Sequence, residues 1–241
     1  MSTDILAELA PHGVLRAGIN LSNFLLVTGR DEHGSPTGVA PDMARALADR
    51  LGVPLRLVPY ARPGLLADAC GTDAWDIGLI GAEPQRAETI AFSPAYAEIE
   101  ATCLVPAGSP IASLAALDAP GISIASTARA AYDLWLERNI RHATVLRAES
   151  IDGAFALFRD RRLDALAGLR PRLIRDQAAL PGSRLLDGSF MTVQQAIGTA
   201  RANAKGAAFL RDFVEEAKRT GLVAALIARH GVEGLSVAPP A

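Results

Sequence analysis

The chain has 241 residues, 24 Lys and Arg against 26 Asp and Glu, and two cysteines. A chain of that length buries roughly three quarters of its unfolded surface, so it needs no disulfide or metal staple and folds as one large domain or two small ones. The net charge of −2 offers no basic footprint for nucleic acid, and no block of like charge marks a disordered tail. The opening residues Met1 to Ala10 have no basic start, and Asp4 and Glu8 interrupt them. They do not read as a secretory signal, so the chain is expected to be cytoplasmic as written or to have lost a leader. No stretch approaches about 18 uninterrupted apolar residues, so no membrane span is expected. Cys70 and Cys103 fit no metal-ligand spacing and are expected as buried small hydrophobes. There is no P-loop, H-E-x-x-H, G-x-S-x-G or C-x-x-C, so neither a cofactor nor a metal is expected.

Gly13 to Ile19 reads as a short strand and Gly34 to Gly38 as a turn. Pro41 and Asp42 open a helix through Met43, Leu47 and Leu51 that Gly52 ends. A strand at Pro54–Pro59, a short helix at Arg62–Cys70 and an apolar strand at Trp75–Ile80 complete a β-α-β-α-β order. That order implies a parallel sheet covered on both faces. Strands are then expected at Ala101–Val105 and Gly121–Ala125, with Ser126 and Thr127 capping a helix from Ala128 to about Arg138. Further strands at Thr144–Leu146, Leu163–Ala167 and Ser183–Leu186 alternate with helices at Ser150–Arg161 and Pro171–Ala179. Met191–Thr199 reads as an extended crossing segment, followed by helices at Lys205–Arg219 and Leu222–Arg229 and a frayed tail from Ala238. Two βα lobes in series thus precede helices with no sheet of their own, which must pack on one lobe. If they return to the first, two strands cross between lobes and make a hinge over a cleft, a common ligand position.

The segment Gly81 to Tyr96, GAEPQRAETIAFSPAY, resembles the T-x-x-R…F-S-x-P-Y stretch of the family 3 extracellular solute-binding proteins, the polar amino-acid receptors of ABC importers. Other segments agree in order. Leu15–Gly18 resembles the family's first strand, and Gly38–Met43 its G-F-D-x-D-[LM] helix start. Trp75-Asp76-Ile77 resembles x-x-D-x-[IV], and Arg162–Ala165 resembles G-[RK]-[VIL]-D-A. Gly221 resembles the family's C-terminal glycine. The resemblance implies an α/β, two-lobe type II periplasmic-binding-protein fold, each lobe a mainly parallel sheet flanked by helices, joined by a two-strand hinge. Lobe 1 would be residues 1–97 plus 192–241, and lobe 2 residues 98–191, with the ligand cleft between them and hinge closure instead of chemistry. The implied partners are a small carboxylate ligand, amino acid or amino-acid-like, and an ABC importer permease. The protein would be a monomer, touching no nucleic acid and spanning no membrane.

Within that resemblance Arg86 is the residue that grips the ligand carboxylate, which suits a planar guanidinium fork. Taken alone, it would read as a surface arginine paired with Glu83 or Glu88. Ser126 and Thr127 match a lobe 2 helix start that meets the same carboxylate, although plain capping fits them as well. Asn20, Ser22, Asn23 and Phe24 follow the first strand where ligand contacts fall; a polar turn is their structural alternative. Gly78, Leu79 and Gly81 stand where small hydroxyl residues are frequent, so they would bond a ligand through backbone only. Gln194 and Gln195 lie on the returning crossover. Leu169 departs from the pattern: an acid often stands there and accepts the ligand ammonium, and a Leu cannot. Asp164 or Asp187 would have to replace it, or the ammonium is missing from the ligand, because an unpaired buried ammonium is costly. Two alternatives remain open. One is a cyclohexadienyl dehydratase-like enzyme with Glu149 or Asp187 as acid, none of His12, His33, His142 and His230 matching a cleft position. The other is a cytoplasmic ligand-binding sensor module.

Overall fold

A computed structural model describes residues 3–241. The first described element is helix α1 (Thr3–Leu9), which is not among the elements predicted from the sequence. Strand β1 (Leu15–Asn20) follows, then the short pair β2 (Gly29–Arg30) and β3 (Pro36–Thr37) around a turn held by the Asp31 carboxylate. Helix α2 (Val39–Leu51) carries Pro41 and Asp42 in its first turn and stops at Gly52, which adopts the left-handed φ of 72°. Strand β4 (Leu55–Tyr60), helix α3 (Pro63–Asp68) and strand β5 (Ile77–Gly81) complete the expected β-α-β-α-β. Trp75 lies before β5, not within it: its indole N–H donates to the Leu66 carbonyl at 3.0 Å, seating the ring against α3.

A 3-10 turn at Arg86–Glu88 leads into β6 (Ile90–Phe92) and β7 (Ala97–Val105). Then come β8 (Ser123–Thr127), α4 (Ala131–Asn139), β9 (Thr144–Ala148), α5 (Ile151–Asp160), β10 (Ala165–Leu169), α6 (Arg170–Ala178) and β11 (Arg184–Leu185). The chain closes with β12 (Met191–Ala200), α7 (Ala204–Arg219), α8 (Leu222–Arg229) and β13 (Ser236–Val237).

Two expectations need correcting. Ser126 and Thr127 do not cap α4: they end β8. Arg129 takes a left-handed φ of 58° and Asp133 accepts its amide at 2.8 Å, so the helix starts only at Ala131. Nor does the tail fray at Ala238. Strand β13 pairs with Ala97 and Glu98, Ala238 is buried and its amide bonds the Tyr96 carbonyl, and Lys218 donates to the Pro239 carbonyl at 2.7 Å.

The chain divides into two compact units, Met1–Glu98 with Gln194–Ala241, and Ile99–Val193. It leaves the first within β7 and returns within β12. In the first unit β1 runs parallel to β4 and β5, and β12 is antiparallel on β5. Arg16 of β1 clamps Asp76 with its backbone N–H and a bidentate guanidinium, 2.7 to 3.1 Å. Helix α1 docks on α7: the Glu8 carboxylate accepts the Gly206 amide at 2.6 Å.

In the second unit β8 runs parallel to β9 and β10, with β7 antiparallel on β10. Both faces of this sheet are buried, and the strands alternate between them. Cys103, Val105, Ile124 and Ala165 join Leu136 of α4 on one face. Leu104, Ala125 and Leu166 join Ala154, Phe158 and Leu173 of α5 and α6 on the other. Parallel strands bring their carboxyl ends to one edge. Within the first unit that edge carries Asn20 and Gly81; within the second, separately, it carries Thr127 and Leu169.

These contacts make three predictions. Gly38 holds φ 142°, and a Cβ there would lie 2.4 Å from the Leu26 carbonyl oxygen. Gly38→Ala should therefore destabilise by about 3 kcal/mol or more, read as a fall in the urea midpoint. The Tyr96 hydroxyl is fully buried with no hydrogen-bond partner among the described residues. Tyr96→Phe should leave the thermal midpoint unchanged or raise it, since no bond is lost and an unpaired polar group is removed. Asp118 accepts the amides of Ala143, His142 and Arg141, which hold its carboxyl below the usual range. Its stabilising effect is complete above the ordinary carboxylate range and lost as pH falls through the lowered value. The stability gap between wild type and Asp118→Asn should accordingly be flat from neutral pH down to about 5 and shrink below about 4.

Candidate functional site

In the first unit the loop after β5 turns sharply through Glu83 and Arg86. The amides of Arg86 and Ala87 both bond the Glu83 carbonyl, and Arg86 begins the 3-10 turn. The Arg86 side chain folds back over the strand end and donates from Nη1 to the Gly81 carbonyl at 2.7 Å. Arg86 is 5% exposed and Glu83 4%. The simple surface-arginine alternative therefore fails on burial, while a buried acid does share its turn.

Asn20 ends β1, the strand paired with β5, and its Oδ1 accepts the Ser22 amide and hydroxyl, at 3.2 and 2.8 Å. Asn23 is buried, and its Oδ1 accepts the Leu25 amide. Both are Asx turns that fix the loop carrying Phe24, which is partly buried. Gly78 and Leu79 are corrected to core positions: β5 lies between β1 and β12, paired with Gly18 and Ile19 on one side and Gly198 and Ile197 on the other. The ladders occupy their backbone groups. Gly78 is small because a Cβ would lie 2.8 Å from Leu66 Cδ2. Gly81 alone of the three ends the strand. Gln195 is buried in β12, its carbonyl taken by the Tyr96 amide, and Gln194 donates to Glu98 at 2.9 Å.

In the second unit Ser126 and Thr127 are 0% and 7% exposed. Strand alternation turns Ser126 to the α4 face and Thr127 to the α5 and α6 face. The Ser126 hydroxyl has no hydrogen-bond partner among the described residues. The Thr127 hydroxyl lies against the Tyr132 phenol without good hydrogen-bond geometry. Leu169 ends β10 and leads directly into α6, with Pro171 in the first turn. The charged neighbours of Leu169 are already engaged. Arg170 pairs with Glu100 and donates to the Gly188 carbonyl. Arg172 pairs with Asp176 at 2.9 Å and Asp152 at 2.7 Å.

Of the two proposed substitute acids, only Asp164 is placed away from this edge. Asp164 accepts the Ser123 amide and hydroxyl at the opposite end of the strands, and Asp187 is exposed. Glu149 is exposed too. The sequence reading missed Tyr132 and Asp176; a buried aspartate in the second turn of α6 has no local signature. Three histidines face acids within the first unit: His12 with Asp73, His33 with Glu32 and His230 with Asp42. The described residues hold no group of three or more metal-ligating side chains. No helix among them is long and apolar enough to cross a membrane. Cys103 is buried as expected, but Cys70 is only partly so and donates to the Thr89 carbonyl.

Two units of α/β build, linked by two passages of chain and carrying polar residues at their strand ends, define a two-lobe binding-protein fold. Residues 16–233 match the sequence model of the bacterial extracellular solute-binding proteins, family 3, and the chain belongs to that family. Its fold is that of the type II periplasmic binding proteins. It is similar to a mutant of ArgBP from T. maritima at 22% identity, covering 95% of this chain and 100% of that one, with TM-score 0.75. A putative ABC-transporter binding component from Wolinella succinogenes, complexed with lysine, matches at 20% identity, 90% and 95% coverage and TM-score 0.75. The ancestral amino acid-binding protein AncCDT-1, a precursor of cyclohexadienyl dehydratase, matches at 23% identity, 93% and 98% coverage and TM-score 0.74. No protein of curated function matches the chain.

Proposed function

We propose that this protein is the solute-binding component of an ABC-type importer, a monomer whose two units close as a hinge on a small carboxylate ligand. The observation that carries the reading is the buried guanidinium of Arg86, set at the carboxyl end of β5. A guanidinium can present two parallel N–H donors to a carboxylate, and its burial strengthens each bond. Asn20, Asn23, Phe24 and Gly81 of the first unit, and Ser126, Thr127 and Leu169 of the second, are our other candidate contacts. Family membership supports a solute-binding role, and the lysine complex among the similar structures supports an amino-acid-like ligand.

The engaged state of Arg170, Arg172 and Asp164 refines the class. Leu169 itself is apolar, Arg170 and Arg172 are paired, Asp176 is held by Arg172, and Asp187 is exposed to solvent. We therefore favour a carboxylate that lacks a free α-ammonium, or a modified amino acid. Likeness to AncCDT-1 favours a second reading, elimination on a cyclic carboxylic acid, which a prephenate turnover assay tests; we expect no product.

Isothermal titration against a panel of free amino acids and their deaminated or acylated counterparts tests the ligand class. Tight binding should fall among the latter, and tight binding of a common free amino acid would overturn the refinement. With the best ligand in hand, Arg86→Ala should weaken affinity by about 2–5 kcal/mol, the range for truncating one partner of a buried charge pair. Unchanged affinity would remove Arg86 from the site.

A further inference from the structure

The second unit contains a small chamber lined by Thr127, Tyr132, Gly168, Leu169, Arg172 and Asp176, completed by apolar side chains of α5 and α6. It leaves about 10 Å³ for the centre of a water-sized sphere, at the lower edge of the roughly 10–15 Å³ that one water requires. No ligand side chain fits in that space. Its walls are nevertheless polar on one side. Thr127 is 7% exposed, and its Oγ1 is buried without a hydrogen-bond partner among the described residues. Tyr132 is 4% exposed and Asp176 5%. Asp176 Oδ1 accepts from Arg172 Nε at 2.9 Å, which leaves lone pairs on the carboxylate. Burial pushes the Asp176 carboxyl up and Arg172 pulls it back. Burial also pushes the Tyr132 phenol up to about 12, so it stays a neutral donor.

We propose that the chamber is a binding site for one resident water molecule, held by the Thr127 hydroxyl, the Tyr132 phenol and the Asp176 carboxylate. A water there donates to Asp176 and accepts from Thr127 or Tyr132. It has the two to four polar partners that buried waters use, and it gives the otherwise orphaned Thr127 hydroxyl a bond. The bridge joins the carboxyl end of β8 to α6, the helix that Leu169 starts. Thr127 is thereby turned into the unit, so at this point a ligand would meet the main chain of β8 and not the hydroxyl. The site itself does not depend on the ligand reading.

High-resolution diffraction from ligand-free crystals, together with water-to-protein NOEs in solution, tests it. One well-ordered density peak should lie within hydrogen-bond distance of Thr127 Oγ1 and Asp176, and the Thr127 methyl should show a long-lived water NOE. Thr127→Val, which keeps the shape and removes the hydroxyl, should abolish the peak, whereas Asp176→Asn, which keeps an acceptor, should retain it. An empty chamber in the unsubstituted protein would overturn the proposal, as would a direct bond between the Thr127 and Tyr132 hydroxyls with the chamber closed. So would a water unchanged in Thr127→Val. Should a variant fail to fold, the unsubstituted protein alone decides.

Discussion

A guanidinium that is 5% exposed has to be satisfied where it sits, because an unsolvated charge without donors' partners is among the most expensive things a fold can contain. Arg86 meets that requirement through hydrogen bonds that include the Gly81 carbonyl, which places the side chain over the end of β5. Gly81 is fixed in turn because β5 is held from both sides, by β1 in parallel and β12 in antiparallel pairing. The Arg16–Asp76 clamp pins the other end of the same strands. The position of the one charge on which the functional reading turns is thus a property of the sheet. A loop arginine is usually a mobile surface group; this one is placed by the register of three strands.

The parts of the fold legible in the sequence are those whose cause is local. Parallel strands buried on both faces read as short apolar runs, as at Ile77–Gly81 and Ala165–Leu169. Helix ends punctuated by Pro and Gly read directly, as at Pro41 and Gly52. What could not be read depends on partners far away in the chain. Asp4 and Glu8 interrupt the first helix, and their value appears only when α7 arrives: Lys205 pairs with Asp4, and Glu8 takes the Gly206 amide. The tail is held because Ala97 and Glu98 offer an edge to β13 just before it. At Gly78 a glycine read as a backbone contact for a ligand is instead room for Leu66 and Trp75.

The candidate site was legible to a similar depth and for similar reasons. The family resemblance picks out the right strand ends but cannot tell which way a side chain points. Ser126 and Thr127 were read as neighbours opening a helix. The left-handed turn at Arg129 delays that helix by three residues, and the two hydroxyls become successive strand positions on opposite faces. Nothing in Ala-Arg-Ala announces a left-handed arginine, because that conformation is rare outside glycine and is held here by the Asp133 carboxylate. Tyr132 and Asp176 were invisible for a different reason: they come together only through the tertiary packing of α4 and α6.

Charge bookkeeping across the two units bears most directly on what the protein binds. At the carboxyl edge of the second unit the two arginines that follow Leu169 are committed: Arg170 to Glu100, Arg172 to Asp176 and Asp152. Freeing Arg172 for a ligand would leave the buried Asp176 unpaired, which is the costly step, whereas Glu100 and Asp152 face solvent. The first unit brings the Arg86 guanidinium to its own strand ends. On the proposed reading, a guanidinium in the first unit and an apolar residue at position 169 in the second suit a ligand with one negative end and no compact positive one. Such selectivity comes from what the second unit withholds as much as from what the first provides, since rejecting an α-ammonium needs only an apolar residue where a carboxylate would have accepted it.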